Sequence, residues 1–392
     1  MNPSQVIDRV SVQHSADRGL YVASLNRSGC DEYFVSAPLL DDEQPGALFE
    51  RAAGAVRDRC AAIVSMEVFG IPHGDGTGKE FLVGAFGRVA WPLTWIDGNP
   101  DRPRGGVQIW AATGVALTRI TRGRTVVGIR FEDSWATFCR AASLIPANVK
   151  GTPEDQATAL LRTMEATAQD AGMDFADVVR TWFYNRDITG WYADFNRARD
   201  RFFASRGVCR QIVPASTGVG GDNVPGAALS GGFLAVRPKD ERVCIAAACS
   251  PLQCPATQYG STFSRAVEVT FPDHARLFVS GTASISRHGQ TQYAGDFKAQ
   301  MDRTLDVVGA LLDSRGYTWE SVASGVAYVK RSEDVPAARM HLARNSLDAL
   351  PILVVRADIC RDDLLFELEV IALRARTEHS GVAAKTPSGD IA

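Results

Sequence analysis

The chain has 392 residues, 45 % hydrophobic and 22 % charged, a globular composition long enough for two or three folding units rather than one. Its formal net charge of −3 argues against nucleic acid as the main partner, because a phosphate-binding surface makes a domain basic; a local basic pocket for a small anion stays compatible with it. No stretch approaches the roughly 20 apolar residues that span a bilayer, and Met1–Val10, with Asp8 and Arg9 and no apolar core, does not read as a secretory signal.

Eight cysteines stand at 30, 60, 139, 209, 244, 249, 254 and 360, none in a Cys-x-x-Cys pair. Reduced thiols in a cytoplasmic protein are the expectation.

Three segments share one order of elements, the signature of internal repetition. In the first, Glu32–Leu40 (EYFVSAPLL) reads as a strand, Pro45–Arg59 as a helix, and Ala61–Phe69 and Val107–Ala112 as further strands. Between them, Gly70–Gly106 is rich in Gly, Pro and charge and reads as long loops. In the second, Trp135–Ile145 (WATFCRAASLI) is a strand and Glu154–Ala171 a helix with Ala157, Leu160, Leu161 and Met164 on one face, stopped by Gly172. Asp177–Tyr184 (DVVRTWFY) is the next strand, Trp191–Ser205 a helix, Pro214–Gly232 a glycine-rich loop, and Val243–Cys249 (VCIAAAC) the closing strand.

The third is clearest. Ala275–Ile285 (ARLFVSGTASI) is a strand, Phe297–Arg315 a helix with Met301, Leu305, Val308 and Leu312 at helical spacing, and Gly316 its stop. Ser321–Lys330, a short helix near Asp334–Ala343, Leu353–Asp358 and the strand Leu364–Leu373 (LLFELEVIAL) complete it. The expected organisation is a worn repeat over 1–130, a second over 131–255, a third over 256–376 and a disordered tail at 377–392. Strands alternating with helices of these lengths give an α/β (α+β) fold whose sheets carry helices on one face, the other face being buried by the neighbouring repeat. Chance likeness between unrelated strand–helix–strand units is the alternative.

Familiar motifs fail on inspection. HGDGTGKE has His73 where a phosphate loop needs its first glycine and Glu80 where it needs Ser or Thr. Cys244, Cys249 and Cys254 lack nearby histidines and do not match a zinc site. GSTFS lacks the last glycine of a serine-hydrolase elbow.

FVSGTASI, SVASGVAYVKRSED and FELEVIAL resemble RidA/YjgF-type proteins, which are homotrimers with sites between subunits. VVRTWFYNRDITGWYADFNRARDRFF, PASTGVGG, QYGSTFSRA and FELEVIA resemble the chorismatases in order and spacing, over roughly residues 17 to 375. The resemblance implies three RidA/YjgF-like (chorismate-mutase-like) repeats forming a pseudo-trimeric barrel, with one catalytic cleft between the second and third. It also implies cleavage of chorismate to pyruvate and a hydroxybenzoate, 3-hydroxybenzoate with 4-hydroxybenzoate as a further product.

Cleaving that enolpyruvyl ether requires a general acid protonated near neutral pH, cations for two carboxylates and a dry cavity. Glu367 and Glu369 share one face of LLFELEVIAL, opposite Phe366, Leu368 and Val370. Both could be solvated; the resemblance implies Glu367 as the acid. Arg265 is the expected carboxylate clamp, since its planar fork suits bidentate binding, with Tyr259 as a further donor or wall. Arg180, costly in the apolar strand VVRTWF unless paired, either clamps the second carboxylate or satisfies a structural acid. Cys360 reads by itself as a small buried hydrophobe; at this position it resembles the hydroxybenzoate-forming class. Gly281 in SGTAS is expected to leave room beside the ring. No cofactor or metal is implied, nor a partner beyond the small-molecule substrate, and the chain is expected to be a monomer or weak homo-oligomer. The remaining readings are a RidA-type imine or enamine deaminase, whose substrate arginine has no clear equivalent near Ile352, and a non-catalytic small-molecule binding protein.

Overall fold

The computed structural model describes residues 10–73, 78–96, 105–208 and 212–376; the expected tail at 377–392 lies outside them. The first unit runs β1 (Ser11–Asp17), β2 (Leu20–Asn26), β3 (Asp31–Pro38), α1 (Pro45–Arg57), β4 (Ala62–Phe69), α2 (Gly78–Phe86), β5 (Leu93–Ile96) and β6 (Gly106–Thr113). The second runs β7 (Thr118–Arg122), β8 (Thr125–Glu132), β9 (Ala136–Leu144), α3 (Pro153–Asp170), β10 (Val178–Asn185), α4 (Ile188–Ser205), β11 (Ala215–Gly220) and β12 (Leu229–Pro238). The third runs β13 (Cys244–Ala248), β14 (Ala266–Thr270), β15 (His274–Ala283), α5 (Phe297–Ser314), β16 (Val322–Val329), α6 (Val335–Arg344), β17 (Ile352–Arg356) and β18 (Phe366–Ala375).

Local chemistry sets these elements. Thr152 and Asp155 form a capping box with Pro153 in the first turn of α3, and Asp296 caps α5 by accepting from Ala299 N. Gly172 and Gly316 follow these helices at φ +70° and +72°, the left-handed stop that glycine adopts without strain.

Each unit builds one six-stranded sheet, and numbering each unit's strands one to six gives the order 1-2-3-6-4-5 in all three. The fourth and fifth strands pair in parallel because a helix crosses over between them. The same bulge recurs on each fourth strand, between Ile63 and Ser65, Val178 and Arg180, and Val322 and Ser324. Identical order and an identical irregularity make the three units copies of one design.

The helices cover one face of each sheet over separate apolar clusters. The other faces share one core in which Phe34, Phe138, Phe271, Leu353 and Trp182 meet. The fifth strand of each unit packs on the third strand of the next: β5 on β9, β11 on β15, β17 on β3. That relation is cyclic, as in a trimer.

Three expectations are corrected. The three sheets stay open rather than closing into a barrel, because each ends in edge strands that pair on one side only: β1 and β5, β7 and β11, β13 and β17. The closing strand of the second unit is β12, and Val243–Cys249 instead supplies β13, the edge of the third sheet. The supposed loops carry α2, β5 and β11. Sheet membership changes over 114–117 and 239–243, since β7 and β8 hydrogen-bond toward β9, and β13 toward β14.

Counting from the shared bulge, Glu32, Phe138 and Arg276 occupy one register position, opposite Ala112, Val236 and Leu373. They meet in the common core. Arg276 donates to both Glu32 oxygens at 2.9 and 2.6 Å and lies 5.0 Å over the Phe138 ring. Arg27 joins Glu32 (2.5 Å) to Asp133 of the second unit (2.6 Å), and Trp110 Nε1 donates to Glu32 at 3.0 Å. Burial alone raises the Glu32 carboxyl, but Arg276 and Arg27 outweigh it and hold it down at about 2. Burial lowers His274 to about 4, so the neutral ring accepts from Arg276 Nε at 3.0 Å and donates Nδ1–H to Asp273 at 2.6 Å.

Glu32→Gln strands a buried arginine and is expected to cost about 3–5 kcal/mol in chemical denaturation, whereas Glu32→Leu with Arg276→Met recovers much of that loss. The Glu32 contribution is present above the usual carboxylate value of 4.5 and disappears as pH falls toward 2. Equal loss in the single and double variants would contradict this account of the axis.

Candidate active site

The seam between the second and third units is zipped by backbone and hydroxyl groups. Ser216 N donates to Ser280 Oγ at 2.8 Å, Ser264 N to Pro214 O at 3.0 Å, and Gly220 N to Asp358 O at 2.6 Å. Beside this zipper lies a small cavity. Its floor is β15 and β18, one wall is α4 with β11, and the other wall comes from the segments preceding β14 and β18. Five of the six residues singled out from the sequence line it: Glu367, Gly281, Arg265, Tyr259 and Cys360.

Counting from the bulge again, the inward positions on the sixth strands are Gly106 and Gln108, Ser230 and Gly232, and Glu367 and Glu369. Two carboxylates side by side occur in the third unit alone. Their surroundings separate them. Glu369 accepts from Arg180 Nη2, from the Thr217 hydroxyl and, at 3.0 Å, from Tyr328 Oη. Glu367 is 5 % exposed and has neither ion pair nor hydrogen bond among the described residues. Burial, reinforced by the Glu369 charge and only partly opposed by Arg180 and Arg265, pushes Glu367 up to about 8. One glutamate is a pinned carboxylate and its neighbour a neutral acid. Such divergent environments separate proton donors from fixed charges.

Gly281 lies beside Glu367, whose register partner on β15 is Ala283. A Cβ on Gly281 would sit 2.0 Å from Glu367 Oε1, so the missing side chain makes room for the acid's own carboxyl. Gly281 N donates to Thr217 Oγ1 at 2.9 Å, which fixes the bay.

Arg265 is 4 % exposed, but its Nε and Nη2 both donate to Cys254 O, at 3.0 and 2.9 Å. It brings charge to the cavity with the Nε/Nη2 edge of its fork already taken. Tyr259 lies under two guanidiniums, those of Arg265 and Arg361, each 5.3 Å from its ring centre. Burial pushes the Cys360 thiol up to about 12, and the nearby Glu367 adds to it, so Cys360 is a neutral wall and not a thiolate nucleophile. Arg180 stands apart from this group. It faces a second, enclosed cavity among the three sheets and is paired with Glu369.

Among the lining residues that escaped the sequence reading are two arginines and a tyrosine: Tyr192 and Arg199 on α4, and Arg361. Arg199 is 2 % exposed, donates from Nη2 to Asn196 Oδ1 at 2.7 Å, and has no partner for Nε. An unpaired N–H on a buried cation is costly and marks a place for an anionic ligand. The available signal was the spacing of Tyr192, Asn196 and Arg199, a polar stripe at i, i+4, i+7 on a helix whose neighbouring Phe195 is buried. The cavity thus holds one neutral acid, three arginines and two tyrosines, an arrangement fitted to protonate a small dianion.

Comparison with known proteins agrees with this chemistry. The chain is 30 % identical over 218 residues to a chorismatase of Streptomyces rapamycinicus, covering half of this chain and 64 % of that protein. It is 26 % identical over 323 residues to a chorismatase of Streptomyces hygroscopicus, covering 75 % of this chain and 90 % of the relative. A 3-hydroxybenzoate synthase of the same organism is 28 % identical over 269 residues, 62 % of this chain and 75 % of that one. A chorismatase crystal structure shares the fold at TM-score 0.59 and 23 % identity, covering 79 % of this chain and 92 % of that chain. No protein-family model matches. The resemblance to chorismatases read from the residues is borne out by these relatives.

Gly281→Ala is expected to displace the Glu367 carboxyl from its bay and return it toward an ordinary acidity. A crystal structure of the variant, with infrared titration of the protonated carboxyl, tests this; an unmoved Glu367 would contradict the fit.

Proposed function

We propose that the chain is a chorismatase that converts chorismate to pyruvate and 3-hydroxybenzoate, with 4-hydroxybenzoate as a further product. The observation that carries the reading is Glu367, a buried, unpaired carboxyl raised to about 8 and facing a cavity rimmed by arginines. A relative named 3-hydroxybenzoate synthase and the neutral Cys360 beside the acid support the choice of product class.

Glu367 delivers its proton to the terminal methylene of the enolpyruvyl group, generating an oxocarbenium ion at the ether carbon. Water attacks that carbon, the ether bond breaks and pyruvate leaves, and the ring diol then loses a hydroxyl and a ring proton as water. If a ring hydroxyl attacks instead, the cyclic ketal collapses by breaking a ring C–O bond with loss of a ring proton. Chorismate has the composition of pyruvate plus hydroxybenzoate, so the aromatic outcome needs no net water and no oxidant. The residues act by charge and position. Arg199, with its open Nε, takes one carboxylate; Arg265 and Arg361, stacked on Tyr259, supply the field for the other. The apolar walls Phe263, Ile285 and Leu364 keep bulk water from the cation. We place the enzyme in the cytoplasm, as a monomer or weak homo-oligomer that works without cofactor or metal.

Incubation with chorismate separates the readings: equimolar pyruvate and hydroxybenzoate support this one, ammonia from imines or enamines the deaminase, and binding without product a carrier. Glu367→Gln is expected to abolish turnover while leaving folding and chorismate binding intact, and retained turnover would overturn the assignment. In the wild type, kcat/KM should fall as pH rises through about 8, because the acid form of Glu367 is lost there. Arg199→Met is expected to lower kcat/KM about 10- to 100-fold, the range of one charged hydrogen bond.

A further inference from the structure

Resting on the reading of Glu367 as the acid, we propose that Glu369 is its positioning residue: a carboxylate pinned by the second unit, whose fixed negative charge keeps the proton on Glu367. The two glutamates are two residues apart on β18 and point to the same side. The charge on Glu369 rests on its ion pair with Arg180, and donor counting at Thr217 agrees with it. That hydroxyl accepts from Arg180 Nη2 and from Gly281 N, so both lone pairs are used and its one proton goes to Glu369. Arg180 and Tyr328 donate to the same carboxylate. Glu369 is therefore an acceptor on every side, held by β10 and β11 of one unit and β16 of the other.

Thr217 links the two carboxyl groups physically. The N–H it receives belongs to Gly281, the residue whose missing side chain houses Glu367. Docking the second unit onto the third thus installs the charge and shapes the bay in one contact.

The charges facing Glu367 come from several elements. Glu369 favours its acid form; Arg180 on β10 and Arg265 before β14 oppose it, in that order. Arg199 on α4 and Arg361 before β18 also line the cavity. Cys360, Tyr259, Tyr192 and Tyr328 are uncharged there, each raised by burial first.

The test is the pH profile of kcat/KM for pyruvate release from chorismate, read beside infrared titration of the carboxyl band that Glu367→Gln removes. In Glu369→Gln the alkaline limb and the infrared midpoint should both move to lower pH by about one unit, the usual size of one nearby charge, with the acid-side plateau nearly kept. A purely structural role would lower the rate evenly across pH and leave both midpoints in place, which overturns the proposal. If the single variant does not fold, Arg180→Gln with Glu369→Gln leaves no unpaired charge. Its midpoints should still move down, by less, and unmoved midpoints again overturn the proposal. Failure of the underlying reading looks different: the wild type would lack the limb, or Glu367→Gln would retain it.

Discussion

Three copies of one sheet in one chain must bury the same face against each other, and the contact on which this depends is the meeting of Glu32, Phe138 and Arg276 at a single register position. In a trimer of identical subunits three like residues would meet there. Here an acid, an aromatic ring and an arginine do, all almost fully buried. A buried ion pair adds little net stability against a hydrophobic alternative, yet it is costly to break. Its consequence is specificity: the units fit round the axis in one order, and a slip would leave two charges unpaired.

That fixed order gives the chain something identical subunits lack, which is one cleft unlike the others. The register carrying Glu367 and Glu369 in the third unit carries Gly106 and Gln108 in the first and Ser230 and Gly232 in the second. Glu67, on β4, meets Arg140 of β9 at 2.6 Å, while at the matching seam Arg180 meets Glu369. The seams share a backbone and differ in chemistry. At one of them a carboxyl is left without a partner in a dry place, and burial makes it an acid that holds its proton near neutrality.

The parts of this arrangement legible in the sequence were those with strong local signals. The helices α3 and α5, with their apolar faces and glycine stops, and the strands β9, β10, β15, β16 and β18 stood out by period. The two leading strands of the first and second units did not, because β1 and β7 are mostly exposed and lack apolar alternation. VCIAAAC misled in the opposite direction. An apolar run reads as a buried closing strand, but it forms the half-exposed edge β13, while the true closing strand begins inside a glycine-rich stretch where Gly231 and Gly232 press against backbone. Glu367 could be named from one strand and a resemblance; its separation from Glu369 could not, since that depends on Arg180 and Thr217 arriving from another unit. Arg199 was hidden among the many charges of α4, where its spacing with Tyr192 and Asn196 was the available signal.

The central claim, that Glu367 protonates the enolpyruvyl methylene of chorismate, is tested most directly by running the reaction in deuterated water and quenching it quickly. Glu367 exchanges its proton with solvent, so the account requires pyruvate with one deuterium in its methyl group, released in step with hydroxybenzoate and absent from Glu367→Gln. Pyruvate released without solvent deuterium, or release undiminished in that variant, would contradict it.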